Sequence, residues 1–173
     1  MSISSIEIKA RSTQHNKVRE ILKKAGAEYK GKDHQVDTYF NVSNGRLKLR
    51  EGTIENNLIH YERPDQKGPK QSSVLLYKST PNSSLKSLLE KANGILVIVD
   101  KEREIYFIDN IKFHIDTVKD FGTFIEIEAI DEKGEIGDAK LNKQCQHFLN
   151  AFGVKDYDLV ECSYSDLLSK LKE

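Results

Sequence analysis

Three carboxylates in the last third of the chain occupy positions from which they could hold a metal ion. Glu126 and Glu128 are two residues apart in a predicted strand, and residues two apart on a strand point to the same side. Asp116 precedes a turn predicted at residues 120–122, and the resulting hairpin would bring it near that pair. Because Mg²⁺ and Mn²⁺ prefer oxygen ligands, the spacing predicts an acidic wall able to bind a divalent cation.

Basic side chains alternate with aliphatic ones on several other segments. In residues 46–50, Lys48 and Arg50 would point to one side of a strand and two leucines to the other. Near the N-terminus, Lys9 shares a face with Glu7, which adds a fourth carboxylate. The basic residues predicted to meet in one interior are Lys9, Lys48, Arg50, Arg63, Lys101 and Arg103. Unpaired like charges would repel each other there unless an anion with several oxygens lay between them, and a polyphosphate meets that requirement.

Two interpretations of these charged faces are open. In the first, the residues face solvent and form cross-strand ion pairs, each of which contributes little stability. In the second, the aliphatic faces pack under helices and the charged faces line a water-filled interior, as in a closed sheet. Four segments repeat the arrangement, and this repetition favours the second interpretation.

Local signals predict the elements that would position these side chains. Strands are predicted over residues 3–11, 34–42, 46–51, 58–63, 73–80 and 95–109, followed by a hairpin over residues 113–131. Helices are predicted to end at Gly26, to begin at Ser83 or Ser84 with Leu85, Leu88 and Leu89 facing inward, to follow Gly137, and to span residues 163–171. Roughly eight strands with short connections favour antiparallel pairing and one α+β domain over residues 1–173.

Composition excludes several classes of function. The chain has 27 basic and 27 acidic residues, so its net charge of zero gives no electrostatic reason to bind nucleic acid or a membrane surface. The longest aliphatic run is too short to span a bilayer and no signal peptide is recognisable, which predicts a cytoplasmic protein. The histidines His34, His60 and His114 lack metal-ligand spacing and are predicted to be solvated or hydrogen-bonded strand residues.

Several stretches taken together resemble the CYTH superfamily of triphosphate tunnel metalloenzymes, which includes class IV adenylate cyclases and thiamine triphosphatases. They are IEIKA, HQVDTYF, GRLKLRE, YERPDQKGPK, KEREIYF and IDTVKDFGTFIEIEA. The resemblance extends from about Ile6 to Leu168. It implies an eight-stranded antiparallel tunnel, with helices outside, that binds a triphosphate together with Mg²⁺ or Mn²⁺.

The resemblance also implies roles for individual residues. By motif match, the phosphate-binding residues would be Lys9, Lys48, Arg50, Arg63, Lys101 and Arg103. The metal ligands would be Glu7, Asp116, Glu126 and Glu128. The residues with catalytic roles would be Glu7, Lys9, Arg103 and Glu126.

The resemblance leaves three functions open. The stretches KEREIYF and FHIDTVKDFGTF favour the class IV adenylate cyclases, which convert ATP to cyclic AMP and pyrophosphate. A thiamine or inorganic triphosphatase, hydrolysing the terminal phosphate, is the first alternative. A non-catalytic polyphosphate- or nucleotide-binding module is the second, because the E-x-E-x-K signature begins here with Ser5 instead of glutamate. The implied partners are a nucleoside triphosphate, thiamine triphosphate or tripolyphosphate, and a second copy of the chain in a homodimer.

Overall fold

The alternating strands close into a barrel in the computed structural model of this chain, which describes residues 3–171. The strands are β1 (Ile3–Arg11), β2 (Glu28–Phe40), β3 (Arg46–Gly52), β4 (Asn56–Glu62), β5 (Lys70–Lys78), β6 (Ile95–Ile108), β7 (Ile111–Val118) and β8 (Gly122–Asp131). Around the barrel they follow the order β1–β5–β4–β3–β2–β6–β7–β8, and every neighbouring pair is antiparallel. Pairing between β8 and β1 closes the sheet, so the predicted eight-stranded tunnel is confirmed.

The described part of the chain has four α-helices beside the barrel. They are α1 (His15–Lys24), α2 (Leu85–Asn93), α3 (Asp138–Ala151) and α4 (Tyr164–Lys170), and a short 3₁₀ helix (Asp156–Asp158) precedes α4. Within residues 3–171, no helix combines the length and the apolar character needed to cross a membrane.

The main hydrophobic core lies outside the barrel, between its outer wall and two helices. The aliphatic faces of β1, β7 and β8 pack against α1 and α3, with Ile8, Phe113 and Ile127 among the buried residues. From α3, Leu141 and Cys145 are fully buried against this wall. Each side chain buried in this way contributes roughly 1.5–3 kcal/mol relative to an exposed one. The aliphatic faces of these strands therefore pack outward against the helices, and the charged faces point into the barrel.

A second apolar cluster fills one end of the barrel interior. Tyr39, Val99 and Phe124 point inward from three strands, and Tyr164 of α4 packs against them from the end. The Phe124 and Tyr164 rings meet edge to face with centroids 5.0 Å apart. Because this cluster occupies the interior at that end, the cavity of the barrel opens toward the other end.

The structure corrects two predictions about the elements. Strand β2 begins at Glu28 instead of residue 34, because its polar first half pairs along the 14-residue β6, a partner that the local pattern does not reveal. Helix α2 was expected to turn Leu88 inward, but that side chain is 63% exposed and no residue of the helix is buried. The helix contacts the barrel through a hydrogen bond from Asn93 to the carbonyl oxygen of Asn41, just after β2, and through an ion pair between Lys86 and Glu51 of β3.

The turn between β2 and β3 requires glycine. Gly45 has φ +63°, a left-handed conformation that side chains disfavour. A Cβ atom there would also lie 2.7 Å from the carbonyl oxygen of Tyr61. This turn fixes the register in which β3 presents its basic residues.

Candidate active site

The barrel encloses a cavity of about 150 Å³. Most of the predicted site residues line it, namely Glu7, Lys48, Arg50, Arg103, Glu126 and Glu128. Lys9, Arg63 and Asp116 each form an ion pair with one of these residues. Lys101 joins the group through Asp37, which it shares with Arg50. The structure therefore brings the predicted acidic and basic residues together in one interior.

Glu126 is the centre of one cluster. Its carboxylate lies 3.2 Å from Lys9 Nζ and 3.3 Å from Arg103 Nη2, and 2.9 Å from His114 Nδ1. Burial works to raise the pKa of Glu126, but the charges of Lys9 and Arg103 outweigh it and hold that pKa well below its ordinary value. Glu126 is thus an anion fixed between two predicted phosphate-binding cations.

Arg103 is held from its other side by Asp116. Its Nε and Nη2 atoms each donate to one oxygen of Asp116 at 2.7 Å, the paired geometry that makes such bonds strong. The hydroxyl of Tyr164 donates to Asp116 Oδ2, also at 2.7 Å. Asp116 is fully buried and both of its oxygens are engaged. Asp116 therefore holds the guanidinium of Arg103 in place.

Asp37 anchors a second cluster, and it was not among the predicted site residues. It accepts hydrogen bonds from Arg50 Nε and Nη2 at 2.9 Å and from Lys101 Nζ at 2.7 Å, and Lys48 Nζ lies 3.5 Å away. Burial works to raise its pKa, but Arg50 and Lys101 outweigh that effect and keep the pKa well below its ordinary value. In this cluster a carboxylate of the protein itself therefore offsets the repulsion between the basic residues. The alternation that selected Arg50 would have found Asp37, which faces inward on the neighbouring strand.

Glu55 lies across the open end of the cavity. It follows β3 in a short loop whose backbone N–H groups at Ile54 and Glu55 donate to Asp33 at 2.9 and 3.0 Å. Its carboxylate pairs with Arg50 Nη1 at 3.0 Å and with the ammonium of Lys112. Burial works to raise the pKa of Glu55, but the charges of these two cations outweigh that effect and lower the pKa strongly. A loop residue gives no period-two signal, and sequence reasoning did not find it.

His114 also belongs to the cavity wall. Sequence reasoning predicted a solvated or hydrogen-bonded residue, and the hydrogen bond to Glu126 agrees with that prediction. Its position inside the tunnel, only 4% exposed, was not predicted. Burial and the nearby charge of Arg103 lower the pKa of His114 to about 4, so the imidazole is neutral at physiological pH. Its Nε2 has no hydrogen-bond partner among residues 3–171.

Lys70 and Ser5 both belong to the wall formed by β5 and β1, where Lys70 lies opposite Glu7 and Ser5 lies opposite Ser72. Lys70 is buried, and its ammonium donates to the carbonyl oxygens of Val160, at 3.2 Å, and Glu161. Burial and the charge of Arg63 lower the pKa of Lys70 to about 8.

Ser5 is fully buried, and its hydroxyl has no partner within the described part of the chain. A serine therefore occupies the inward position where the signature has its first glutamate.

The carboxylates differ in how well they suit a divalent cation. Glu7 and Glu128 are direct cross-strand partners on β1 and β8, and both line the cavity together with Glu126. Glu128 forms no ion pair with any residue between positions 3 and 171. These three carboxylates provide the hard oxygen donors that Mg²⁺ and Mn²⁺ prefer, so they fit such an ion. Asp116 does not fit, because its oxygens are engaged by Arg103 and Tyr164.

Two of these three carboxylates are turned toward cationic side chains. Glu7 pairs with Arg63, and Glu126 pairs with Lys9 and Arg103. In residues 3–171, no three His, Cys, Asp or Glu side chains stand in a geometry ready to hold a metal ion. Binding of a cation would therefore require these glutamates to exchange partners.

A closed antiparallel barrel with paired basic and acidic side chains in its interior has the architecture of a tunnel domain, and the sequence identifies the family. Residues 4–164 match the family model described as the CYTH domain, and the chain belongs to this family. It is 28% identical over 175 residues to a Methanocaldococcus jannaschii protein named "Putative adenylate cyclase", covering 94% of this chain and 97% of that one.

Solved structures share the fold. A Pyrococcus horikoshii protein superposes with a TM-score of 0.78 at 22% identity, covering 96% of this chain and 99% of that chain. A protein from Vibrio parahaemolyticus, described as a putative adenylate cyclase, also gives a TM-score of 0.78, at 21% identity over 98% of this chain and 99% of its own. At these identities the similarity establishes the fold.

Proposed function

We propose that this protein is a divalent-metal-dependent enzyme that acts on a triphosphate, with the cyclisation of ATP to cyclic AMP and pyrophosphate as its leading reaction. The observation that carries the proposal is the meeting of Lys48, Arg50 and Arg103 with Glu126 and Glu128 around one cavity. Cations with several donors suit phosphate oxygens, and carboxylates suit the accompanying metal. The similarity to the Methanocaldococcus jannaschii protein named "Putative adenylate cyclase" supports the choice of reaction.

The residues of the chain would act by holding the phosphates and offsetting their charge. Arg103, fixed by Asp116 on one side, presents its guanidinium to the cavity in one orientation. Lys48 and Arg50 face the same space from β3. In cyclisation, the 3′-hydroxyl attacks the α-phosphorus and pyrophosphate leaves, so negative charge grows on the leaving oxygens. Positioned cations stabilise that charge without reorganising.

Glu7, Glu126 and Glu128 are the residues that would hold Mg²⁺ or Mn²⁺ in this proposal. Such an ion, when bound, would supply positive charge that offsets the charge of the phosphates and of the leaving group. Asp116 is reassigned from the predicted metal ligands to the positioning of Arg103, because its two oxygens are already engaged.

The reaction can be identified by its products. The protein would be incubated separately with ATP, thiamine triphosphate and tripolyphosphate, each with Mg²⁺ or Mn²⁺. Formation of cyclic AMP and pyrophosphate from ATP is the expected result. Release of phosphate from thiamine triphosphate or tripolyphosphate, without cyclic AMP, would replace the cyclase by a triphosphatase.

A non-catalytic triphosphate-binding module is the second candidate, and Ser5 is the observation that favours it. The signature places a glutamate where this chain has a buried serine, so the acidic wall has one carboxylate fewer. This candidate predicts that tripolyphosphate binds with little metal dependence and is not turned over. New turnover in Ser5→Glu, starting from an inactive wild-type protein, would support it. Full activity of the wild-type protein would exclude it.

A further inference from the structure

A cleft of about 400 Å³ lies at the rim of the barrel, between the β6–β7 turn and the loop from β8 to α3. Its apolar lining consists of Phe107, Ile130 and Ile136, and carboxylates of Asp109 and Glu132 lie at its border. We call it the rim cleft. None of the predicted site residues lines it, so the triphosphate chemistry described above does not account for it.

The rim cleft adjoins the open end of the tunnel on two strands. On β8, Ile130 lies two residues beyond Glu128 and so shares the inward face of that strand. On β6, Phe107 is the direct cross-strand partner of Lys112, which lines the cavity. The ammonium of Lys112 lies 5.8 Å from the centroid of the Phe107 ring. A ligand leaving the tunnel at this side would therefore meet the rim cleft.

The opposite end of the tunnel offers no such exit. Phe124 and Tyr164 fill the interior there, and both are at most 3% exposed. Lys9 Nζ lies 3.7 Å from the centroid of the Tyr164 ring, which leaves no room for a ring of the ligand between them. If the phosphates of a triphosphate ester lie among the cavity cations, its organic group must project from the open end.

The lining indicates which organic group the rim cleft would accept. Phe107 offers a ring face for stacking, and the two isoleucines offer apolar contact. Asp109, Glu132 and Glu135 supply hydrogen-bond acceptors, and Lys133 is the basic residue of the lining. The ammonium groups of Lys112 and Lys30 lie 5.8 and 6.0 Å from the centroid of the Phe107 ring. Asp131 takes no part, because its oxygens accept from the backbone N–H groups of residues 135–137. A flat ring that carries amino donors matches the three carboxylates and the aromatic face.

We propose that the organic group of the substrate is an amino-bearing nitrogen heterocycle, and that the rim cleft binds this ring by stacking it on Phe107. This inference rests on the proposed function, since it takes the phosphates to lie in the tunnel. Adenine and the aminopyrimidine of thiamine share the required chemistry. The rim cleft then makes the enzyme select an organic triphosphate over tripolyphosphate.

The test compares ligands with and without the ring, using calorimetric titration of the full-length protein without added divalent metal, so that turnover does not consume the ligands. The ligands are ATP, thiamine triphosphate, tripolyphosphate, and ITP, in which a carbonyl replaces the amino group of adenine. The variants are Phe107→Ala and Asp109→Asn/Glu132→Gln; asparagine tolerates the φ of +48° at position 109. Tyr157→Ala, at a site 84% exposed, and Glu90→Gln on the exposed side of α2 are the matched controls.

The expected result is that Phe107→Ala weakens the binding of ATP or thiamine triphosphate about tenfold and leaves tripolyphosphate binding unchanged. The wild-type protein should prefer ATP to ITP, and the double variant should lose that preference. Whichever of ATP and thiamine triphosphate shows the larger loss identifies the ring. Equal losses for tripolyphosphate and the organic ligands, or no loss for any, would overturn the rim-cleft inference while leaving the tunnel intact. Failure of the wild-type protein to bind tripolyphosphate would instead overturn the proposed function and this inference with it.

Discussion

The hydroxyl of Tyr164 donates a 2.7 Å hydrogen bond to Asp116, the residue that fixes Arg103. Through this bond the C-terminal helix takes part in positioning a cavity cation. Tyr164→Phe keeps the ring that closes the tunnel and removes only the donor. We expect a loss of about 1.5–3 kcal/mol in the free energy of unfolding, the range for a hydrogen bond to a charged group. We also expect lower kcat with little change in KM, because the orientation of Arg103 is relaxed.

Urea denaturation and steady-state kinetics would measure the two effects. Tyr157→Phe provides the control, since Tyr157 is 84% exposed and removal of its hydroxyl should change neither quantity. Unchanged kcat in Tyr164→Phe would show that the helix closes the tunnel without positioning Arg103.

Glu55 forms ion pairs with the cations at the open end of the tunnel, as a bound phosphate would. Its pairing with Arg50 and Lys112 must be broken before a triphosphate can bind both. Glu55→Gln removes this competing charge and should tighten tripolyphosphate binding about tenfold, equal to roughly 1.4 kcal/mol. Glu51→Gln, which removes an ion pair with Lys86 on the outer surface, should leave the affinity unchanged. Weaker binding in Glu55→Gln would mean that Glu55 organises the site instead of competing for it.

Asp37 is the only carboxylate within hydrogen-bonding distance of both Arg50 and Lys101 in the described residues. Asp37→Asn would leave buried positive charges uncompensated, a change that costs about 3–5 kcal/mol when one partner of a buried pair is removed. Tripolyphosphate should restore part of this stability, because an anion in the tunnel replaces the lost charge. Thermal unfolding of Asp37→Asn with and without tripolyphosphate would measure this recovery of stability. Asp100→Asn, at a partly exposed pair with His34, is the control that should shift stability little.

Lys70 should give the protein a stability that rises with pH. Burial lowers its pKa from 10.5 to about 8 in the folded protein. Between these two values the unfolded chain binds a proton that the folded chain does not, so the free energy of unfolding increases as pH rises through this window. Lys70→Met should flatten that dependence relative to the wild-type protein in urea titrations from pH 8 to 10.5. Lys91→Met, on the exposed surface of α2, is the control and should keep the pH dependence of the wild-type protein. An unchanged slope in Lys70→Met would contradict the conclusion that Lys70 causes this pH dependence.

How far the sequence predicts this site depends on the range of the interactions. Period-two alternation is local, and it correctly placed Lys48 and Arg50 on the inward face of β3. The same rule could have found Asp37. The contact between Tyr164 and Asp116 joins residues 48 positions apart, and it depends on where α4 docks. Local periodicity does not contain that information.

The carboxylates illustrate the same limit. Alternation predicts that Glu126 and Glu128 face one way, and both line the cavity. It does not predict that Glu126 has three partners while Glu128 forms no ion pair within residues 3–171. That difference arises from the cross-strand neighbours: Glu126 lies between Lys9 and His114 in the register of β1, β8 and β7. Register across a closed sheet is a property of the whole fold.

A crystal structure of the protein grown with tripolyphosphate and Mn²⁺, with data collected at a wavelength where manganese scatters anomalously, would show directly where the ligand binds. We expect phosphate density inside the barrel, in contact with Arg50 and Arg103. We also expect an anomalous peak beside Glu126 or Glu128, which should be absent in crystals of Glu126→Gln/Glu128→Gln. Tripolyphosphate bound only on the outer surface, with the interior ion pairs of Glu126 and Asp37 unchanged, would contradict the central claim that the barrel is a triphosphate site.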